Sequence, residues 1–438
     1  MLNAKRSRSG RIANHYFLDP FGCAKNQVDA ESMMAALNEA GWQTSECAEA
    51  DYIIINSCAF IESAKRESIN AVLNYHRQYP YKKIVLAGCL AQRYKHELEK
   101  ILPEATILFG TGNPEQIVTA LGAGAPSHID KGNRPLLSSL GSAYVKITEG
   151  CNNHCSFCAI PLIRGKLCSR PIDDIVSECQ TLLERGIYEL CLVGQDTASF
   201  GMDRGKQELP ILLEKIATLP HKFWLRLLYL HPDHIPDSLF LYYREEPRFL
   251  PYFDIPLQHA SGTMLDSMNR HGTSTSYIQL IEKIRTQVPN AVIRSTFLVG
   301  FPGETERDFR TLLRFQKTVS LDWLGCFCYS REEGTPAYCL SHHVPKQLAL
   351  KRKQMLEEKQ VAITVSHLDQ LIGTTVAVLI EREIDKGIYI GRTYGQAPEV
   401  DGFTIVHSIV PLACGSVSHG IVQSREKYNL HVYSNGGK

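Results

Sequence analysis

The chain has 438 residues, 44% hydrophobic and 21% charged, and 47 Lys+Arg against 46 Asp+Glu leave a formal net charge of +1. That length suits two or three domains with real apolar cores, and the near-neutral balance excludes coating of nucleic acid or anionic membrane by bulk electrostatics, which needs a large basic excess. No run approaches the roughly 18 apolar residues that cross a bilayer, and the basic start has no apolar signal core behind it, so a cytoplasmic protein without membrane attachment is expected.

Residues 1–13 match no pattern and predict a disordered tail. From 14 to 121, strand-like runs (52–56, 83–88) alternate with helical ones (63–75), the rhythm of a parallel α/β sheet domain. Residues 122–142, rich in Gly, Pro and Ser, predict a linker. From 143 to 371 the alternation resumes, with strands expected at 143–148, 188–194, 222–229, 251–255, 291–299 and 321–329. They predict a whole or partial TIM-like α/β barrel with its chemistry at the strands' C-terminal ends. A charged helix at about 346–370 closes this part. From 372 to 438, short alternating strands (375–381, 388–392, 403–407, 420–424, 430–433) predict a small antiparallel β-barrel of OB-like kind.

Fourteen cysteines are many for a compartment that disfavours disulfides, which directs attention to metal binding or catalysis. Cys151, Cys155 and Cys158 form a C-x3-C-x2-C run just after the strand that ends near Thr148. Three thiolates on one loop can hold three corners of a 4Fe-4S cluster and leave one iron open. An open iron can chelate S-adenosylmethionine, and an electron from the cluster can cleave it to a 5′-deoxyadenosyl radical, chemistry that belongs to the cofactor. The competing reading is zinc, which wants four closed ligands; His154 is nearby but poorly spaced.

The stretch runs on as Cys158-Ala-Ile-Pro161-Leu-Ile-Arg164-Gly165-Lys-Leu-Cys-Ser169-Arg170, and in this extension it resembles the radical-SAM methylthiotransferases. The resemblance implies a second 4Fe-4S cluster held by three cysteines at α/β strand ends, and Cys23, Cys58 and Cys89 match those positions within Gly22-Cys23-Ala24-Lys25-Asn26, Asn56-Ser57-Cys58-Ala59 and Gly88-Cys89-Leu90-Ala91. Their separations of 35 and 31 residues fit one cysteine per β-α unit. The other eight cysteines (47, 168, 179, 191, 326, 328, 339 and 414) match no ligand position. The resemblance also makes Gly194, Gln195 and Arg294 candidates for contacting S-adenosylmethionine, against the blander reading that they turn the chain or satisfy backbone groups. His259, at another strand end, is equally suited to a structural hydrogen bond.

Members of this family modify a transfer-RNA purine or an aspartate of a ribosomal protein. Lys25-Asn26 and Gln195-Asp196-Thr197 resemble the ribosomal branch, as does 397–402 in the C-terminal barrel, which resembles a TRAM domain. From 373 to 438 the Lys and Arg (382, 386, 392, 425, 427, 438) equal the Asp and Glu (381, 383, 385, 399, 401, 426) in number. An RNA-gripping barrel should instead be basic, and an acidic turn at Glu399 and Asp401 suits a basic protein. Ala24, Gln27 and Cys168 depart from the family pattern without removing a ligand. The expectation is methylthiolation of the β-carbon of an aspartate in the small-subunit ribosomal protein twelve, with two S-adenosylmethionine, two 4Fe-4S clusters, an electron donor and a sulfur donor. The alternatives are a transfer-RNA purine substrate or a noncatalytic iron-sulfur adaptor.

Overall fold

The computed structural model describes residues 14–122 and 131–434; the expected tail at 1–13 and the middle of the expected linker lie outside the described residues. The chain forms two compact units. The first comprises 1–137, 150–152 and 158–166, and the second comprises 138–149, 153–157 and 167–438.

The first unit is built on five parallel strands, β1 (His15–Pro20), β2 (Gln43–Thr44), β3 (Tyr52–Ser57), β4 (Lys83–Gly88) and β5 (Ile107–Phe109), in the order β2-β1-β3-β4-β5. β3 reads Tyr-Ile-Ile-Ile-Asn-Ser and is buried at every position, as a central parallel strand covered on both faces must be. Its side chains alternate between two cores: Ile54 joins Tyr16, Met33, Leu37 and Val85 on one face, while Ile53 and Ile55 join Val72, Ile84 and Leu86 on the other. The helices are α1 (Ala24–Glu39), α2 (Glu62–Gln78), α3 (Cys89–Arg93), α4 (Lys95–Ile101), α5 (Ile117–Ala120) and α6 (Ile160–Arg164). α6 comes from far along the chain, yet Ile163 and the preceding Ala159 are buried in the second of these cores. The end of the expected linker is fastened here too: buried Arg134 pairs with buried Glu31 at 2.8 Å, and the Leu137 N–H donates to the same carboxylate. Gly, Pro and Ser content signals turns, but it cannot reveal a partner 103 residues away.

In the second unit, β6 (Ser142–Lys146) is followed by a short antiparallel pair, β7 (Thr148–Glu149) with β8 (Cys168–Ser169). Then come β9 (Glu189–Val193), β10 (Trp224–Leu227), β11 (Tyr252–Asp254), β12 (Val292–Val299) and β13 (Trp323–Cys328). Two parallel three-stranded sheets, β6-β9-β10 and β11-β12-β13, meet through a bridge from Leu225 to Phe249, which makes the expected barrel a partial one of six strands. Helices α7 (Ile172–Glu184), α8 (Leu209–Ala217), α9 (Ser238–Glu245), α10 (Gly262–Ser267), α11 (Ser274–Gln287), α12 (Glu306–Val319) and α13 (Lys346–Asp369) occupy the connections and close the unit's α/β part. α12 starts at a capping box in which Thr305 and Asp308 satisfy each other's backbone N–H groups.

The last strands, β14 (Thr375–Asp385), β15 (Ile388–Arg392), β16 (Thr404–Ser408), β17 (Val417–Glu426) and β18 (Asn429–Ser434), close into a barrel of order β14-β15-β16-β18-β17. The pairing is antiparallel except between β16 and β18, which run parallel. The segment from Arg392 to Asp401 lies against the N-terminal ends of the α/β strands. Arg392 donates to Ser142 Oγ and Glu189 Oε2 at 2.7 and 2.6 Å, Arg226 to the Tyr394 carbonyl at 2.9 Å, and Trp323 Nε1 to the Gly395 carbonyl at 2.7 Å. Ser142, Glu189 and Trp323 each open a strand, so the small barrel covers the end opposite the one where an α/β barrel carries chemistry.

Candidate active site

Cys23, Cys58 and Cys89 follow β1, β3 and β4, three neighbours in one parallel sheet, and so they emerge at one edge. Two glycines allow the loops to approach. Gly22 has φ of 101°, and a Cβ there would lie 2.7 Å from Asn26 Nδ2 and 3.3 Å from Cys58 Cβ; Gly88 has φ of 89°, and its Cβ would lie 2.6 Å from Asn56 Oδ1. Asn26 binds the loops together: its Nδ2 donates to the Phe21 and Ser57 carbonyls at 3.1 and 2.9 Å, and its own carbonyl accepts from Asn56 Nδ2 at 2.6 Å. Ser57 ties the second loop to the third through its hydroxyl, which donates to the Ala87 carbonyl and accepts from the Leu90 N–H.

Arg164 of α6 completes this cradle. One Nη2 donates to Asn26 Oδ1 at 2.6 Å and to Cys89 Sγ at 3.3 Å, while Nη1 pairs with Asp29 at 2.7 Å. The thiols respond to one another and to this charge. Burial pushes Cys58 up to about 11, helped by the negative charges of Cys89 and Cys23. Burial raises Cys89 as well, against the pull of Arg164. At Cys23 the surrounding protein disfavours the thiolate, but Lys25, Arg164 and the backbone N–H groups of Asn26 and Lys25 prevail and hold the thiol below its ordinary value.

The second cysteine set lies on the 151–158 loop, with Cys151 and Cys158 in the first unit and Cys155 in the second. In the first unit Gly150, at φ of 67°, leaves no space for a side chain, since a Cβ would stand 2.1 Å from the Lys166 carbonyl, and the Cys151 N–H donates to the Gly165 carbonyl at 3.2 Å. In the second unit the loop is held through its backbone. The His154 carbonyl accepts from Asn269 at 2.7 Å, the Ser156 N–H donates to the Met268 carbonyl at 2.9 Å, and the Ser156 carbonyl accepts from the Ala337 N–H at 2.8 Å. Phe157 packs on Met264, Met268, Leu298 and Phe301. Buried Arg270 places Nη1 3.7 Å from Cys155 Sγ, donates from Nη2 to the Pro256 carbonyl, and leaves Nε without a partner among the described residues.

Gly194 and Gln195 follow β9 at the C-terminal end of the partial barrel. A side chain at Gly194 would meet Thr148 Oγ1 at 2.2 Å. Gln195 Nε2 donates to Glu149 Oε1 at 3.1 Å, and its buried Oε1 has no partner among the described residues, an acceptor available to a bound molecule. Next to them Asp196 accepts from Asn153 Nδ2 at 2.9 Å, His234 Nδ1 at 2.7 Å and the Ser199 hydroxyl. Burial works against its carboxylate, but His234 and Ser199 hold it below the ordinary range, and the same hydrogen bond raises His234. Burial, with Arg270 adding to it, drives His231 down to about 3, so it is neutral. His259 is fully buried, and its Nδ1 accepts from the N–H groups of Ala260 and Ser261 at 2.9 Å each, a structural role.

These contacts give Arg294 and Asp401 partners that the sequence did not show. Arg294 lies in the first half of β12, and its Nη1 donates to Asp401 at 2.5 Å and to the Val400 carbonyl, at the barrel end away from Gly194 and Gln195. Asp401 is correspondingly not an exposed docking acid: its side chain is buried between Arg294 and the Tyr252 hydroxyl, which donates to it at 2.5 Å. Of the two acids in that turn, Glu399 is the exposed one. A strand's hydropathy says which residues go inward, not what lies across from them.

Family patterns match in three stretches: the uncharacterized protein family UPF0004 over residues 15–110, the radical SAM superfamily over 145–315 and the TRAM domain over 372–432. A relative from Treponema denticola, described as ribosomal protein uS12 methylthiotransferase RimO, is 42% identical over 95% of this chain and 99% of its own length. Relatives of the same description from Aquifex aeolicus and Clostridioides difficile are 42% and 39% identical over 93% and 94% of this chain, and 94% and 97% of their own. The chain belongs to the RimO family. It is a radical-SAM methylthiotransferase, and S-adenosylmethionine with a 4Fe-4S cluster are the cofactors its superfamily implies. In fold alone it is similar to the radical S-adenosylmethionine methyltransferase TsrM from Kitasatospora setae, at a TM-score of 0.53, 14% identity and coverage of 74% of this chain and 77% of that one. Within this RimO-family chain, sequence reasoning quoted Arg164 but gave it no role, and it passed over Asn153, Arg270 and His234. Their partners are distant in sequence, and neither periodicity nor spacing signals such contacts.

Proposed function

We propose that this enzyme methylthiolates the β-carbon of an aspartate in ribosomal protein uS12, consuming two S-adenosylmethionine, one as methyl donor and one as radical source. Cys151, Cys155 and Cys158 hold one 4Fe-4S cluster, and Cys23, Cys58 and Cys89 hold a second. The observation that carries the substrate is the end-to-end likeness to relatives that bear the uS12 description. For the second cluster, the support is the donor set itself: three soft thiols at one sheet edge, on loops tied together by Asn26 and Ser57.

When bound, the two clusters supply the deoxyadenosyl radical and an iron that presents sulfur to the substrate carbon. The chain's own groups do the rest. An unactivated C–H bond has no acidic proton, so no side-chain base is required of the site. Gly194, where a side chain would meet Thr148, lets the chain turn at the strand end, and Gln195 offers its unpartnered Oε1 to S-adenosylmethionine. Arg294, engaged at the opposite end, positions the TRAM barrel instead. The electron and sulfur donors are separate molecules, and the reaction takes place in the cytoplasm, where ribosomes are made.

Mass spectrometry of ribosomal proteins and transfer-RNA nucleosides, from cells with and without this protein, tests the reading. Loss of the mass of one added SCH2 unit from uS12 is the expected result. Loss of a methylthiolated purine with uS12 unchanged would transfer the substrate to transfer RNA and leave the two-cluster chemistry standing.

A further inference from the structure

Arg164 stands six residues beyond Cys158, in the loop that carries the radical-generating cysteines, yet its side chain ends among the other three. Its side chain is 2% exposed, and both terminal nitrogens reach into the N-terminal cradle: Nη2 to Cys89 Sγ and Asn26 Oδ1, Nη1 to Asp29. Asn26 is the residue that binds the Cys23 and Cys58 loops, so Arg164 meets all three cysteine loops directly or through one intermediary. α6, which delivers it, is itself seated by Ile163 in the core under the sheet and by the Thr111 hydroxyl on the Ile163 carbonyl at 3.2 Å.

Resting on the two-cluster reading above, we propose that Arg164 is a positioning residue of the N-terminal cluster: it donates to the Cys89 thiolate, fixes Asn26 between the loops and supplies the positive charge that stabilises the reduced cluster. A guanidinium suits this job because its planar fork reaches a sulfur, an amide oxygen and a carboxylate at once, which a lysine ammonium on a flexible stem does not. The charge argument fixes a sign. Reduction adds a negative charge to the cluster, a nearby cation favours it, and loss of that cation moves the midpoint potential to more negative values. The chemistry also makes the family's Arg-Gly step a physical link, since the segment that contributes Cys158 to one cluster contributes Arg164 to the other.

The test uses the full chain with C151A/C155A/C158A, reconstituted anaerobically with iron and sulfide so that only the N-terminal site is read. Iron content, the electron paramagnetic resonance signal of the reduced cluster and its midpoint potential are measured for this background and with R164Q, R164K and D29N/R164Q added. The double change removes the ion pair without leaving Asp29 buried opposite a neutral group, so it keeps the test open if R164Q does not fold. A more negative potential, or loss of cluster iron from folded protein, in R164Q and D29N/R164Q is expected, with R164K recovering part of the potential. An unchanged potential and spectrum in those folded variants would overturn the role of Arg164 alone. A background that binds no cluster would overturn the two-cluster reading, and this inference with it.

Discussion

Glu189 illustrates how single residues carry this molecule. Its carboxylate is fully buried at the start of β9, between Arg392 of the small barrel and Arg226 of β10, at 2.6 and 2.8 Å. Burial opposes the charge, but the two guanidinium groups outweigh it and hold the carboxyl at about 2, against an ordinary 4.5. A carboxyl depressed in the folded state contributes its full stability above the unfolded value and loses it as pH falls toward the folded one. The enzyme should therefore lose about 3 kcal/mol of stability from this group between roughly pH 4.5 and 2. Denaturant unfolding over that range, wild type against E189Q, checks it: the difference between the two should shrink as pH falls. The Arg294 and Asp401 pair makes a similar prediction. D401N leaves a buried guanidinium short of its counter-charge and should cost about 3–5 kcal/mol in unfolding experiments, whereas E399Q, on the exposed acid of the same turn, should change stability by less than about 0.5 kcal/mol.

At the scale of elements, strand ends do the positioning. The cysteines of the N-terminal unit fall on one edge because β1, β3 and β4 are neighbours and parallel, and the β-α rhythm of 14–121 made that edge legible in advance. The closeness of the loops was not legible, because it depends on Gly22 and Gly88 at positive φ facing Asn26 and Asn56. G22A should accordingly lower iron retained at the N-terminal site, measured in the C151A/C155A/C158A background, since its Cβ would overlap Asn26 at 2.7 Å. For α12 the effect should be ordinary and local: T305A removes the hydroxyl that accepts from the Asp308 N–H at 3.3 Å and should cost about 1 kcal/mol in thermal unfolding, without altering cluster content.

Across the whole molecule, the proposed function divides the reaction between the two cysteine sets, and their variants should separate it. C155A should abolish formation of 5′-deoxyadenosine from S-adenosylmethionine under dithionite. C58A should retain it while forming no methylthiolated product, as chromatography of the nucleoside and mass spectrometry of uS12 would read. Equal loss of both outputs in both variants would contradict that division. The small barrel has a different place in this scheme from the one its acidic turn suggested. Arg392 and Asp401, one charge of each sign, turn inward onto Glu189 and Arg294, so the barrel remains nearly neutral outside and closes the strands' N-terminal ends.

The order of the three folds along the chain and the six strands of the α/β part were legible in the sequence alone, while whether those strands close a whole or a partial barrel was not. Hydrophobic period and cysteine spacing are local along the chain, and so they are visible in one dimension. The tertiary structure alone decided which polar and charged groups pair. Arg164 among the N-terminal thiols, Arg294 on Asp401, Arg134 on Glu31 and Asn153 on Asp196 each join residues from 43 to 135 positions apart. An arginine in a sequence carries no mark of its partner. Only when the strands are in register does burial compel each charge to find one, because a buried charge left unpaired costs more than the fold can spare.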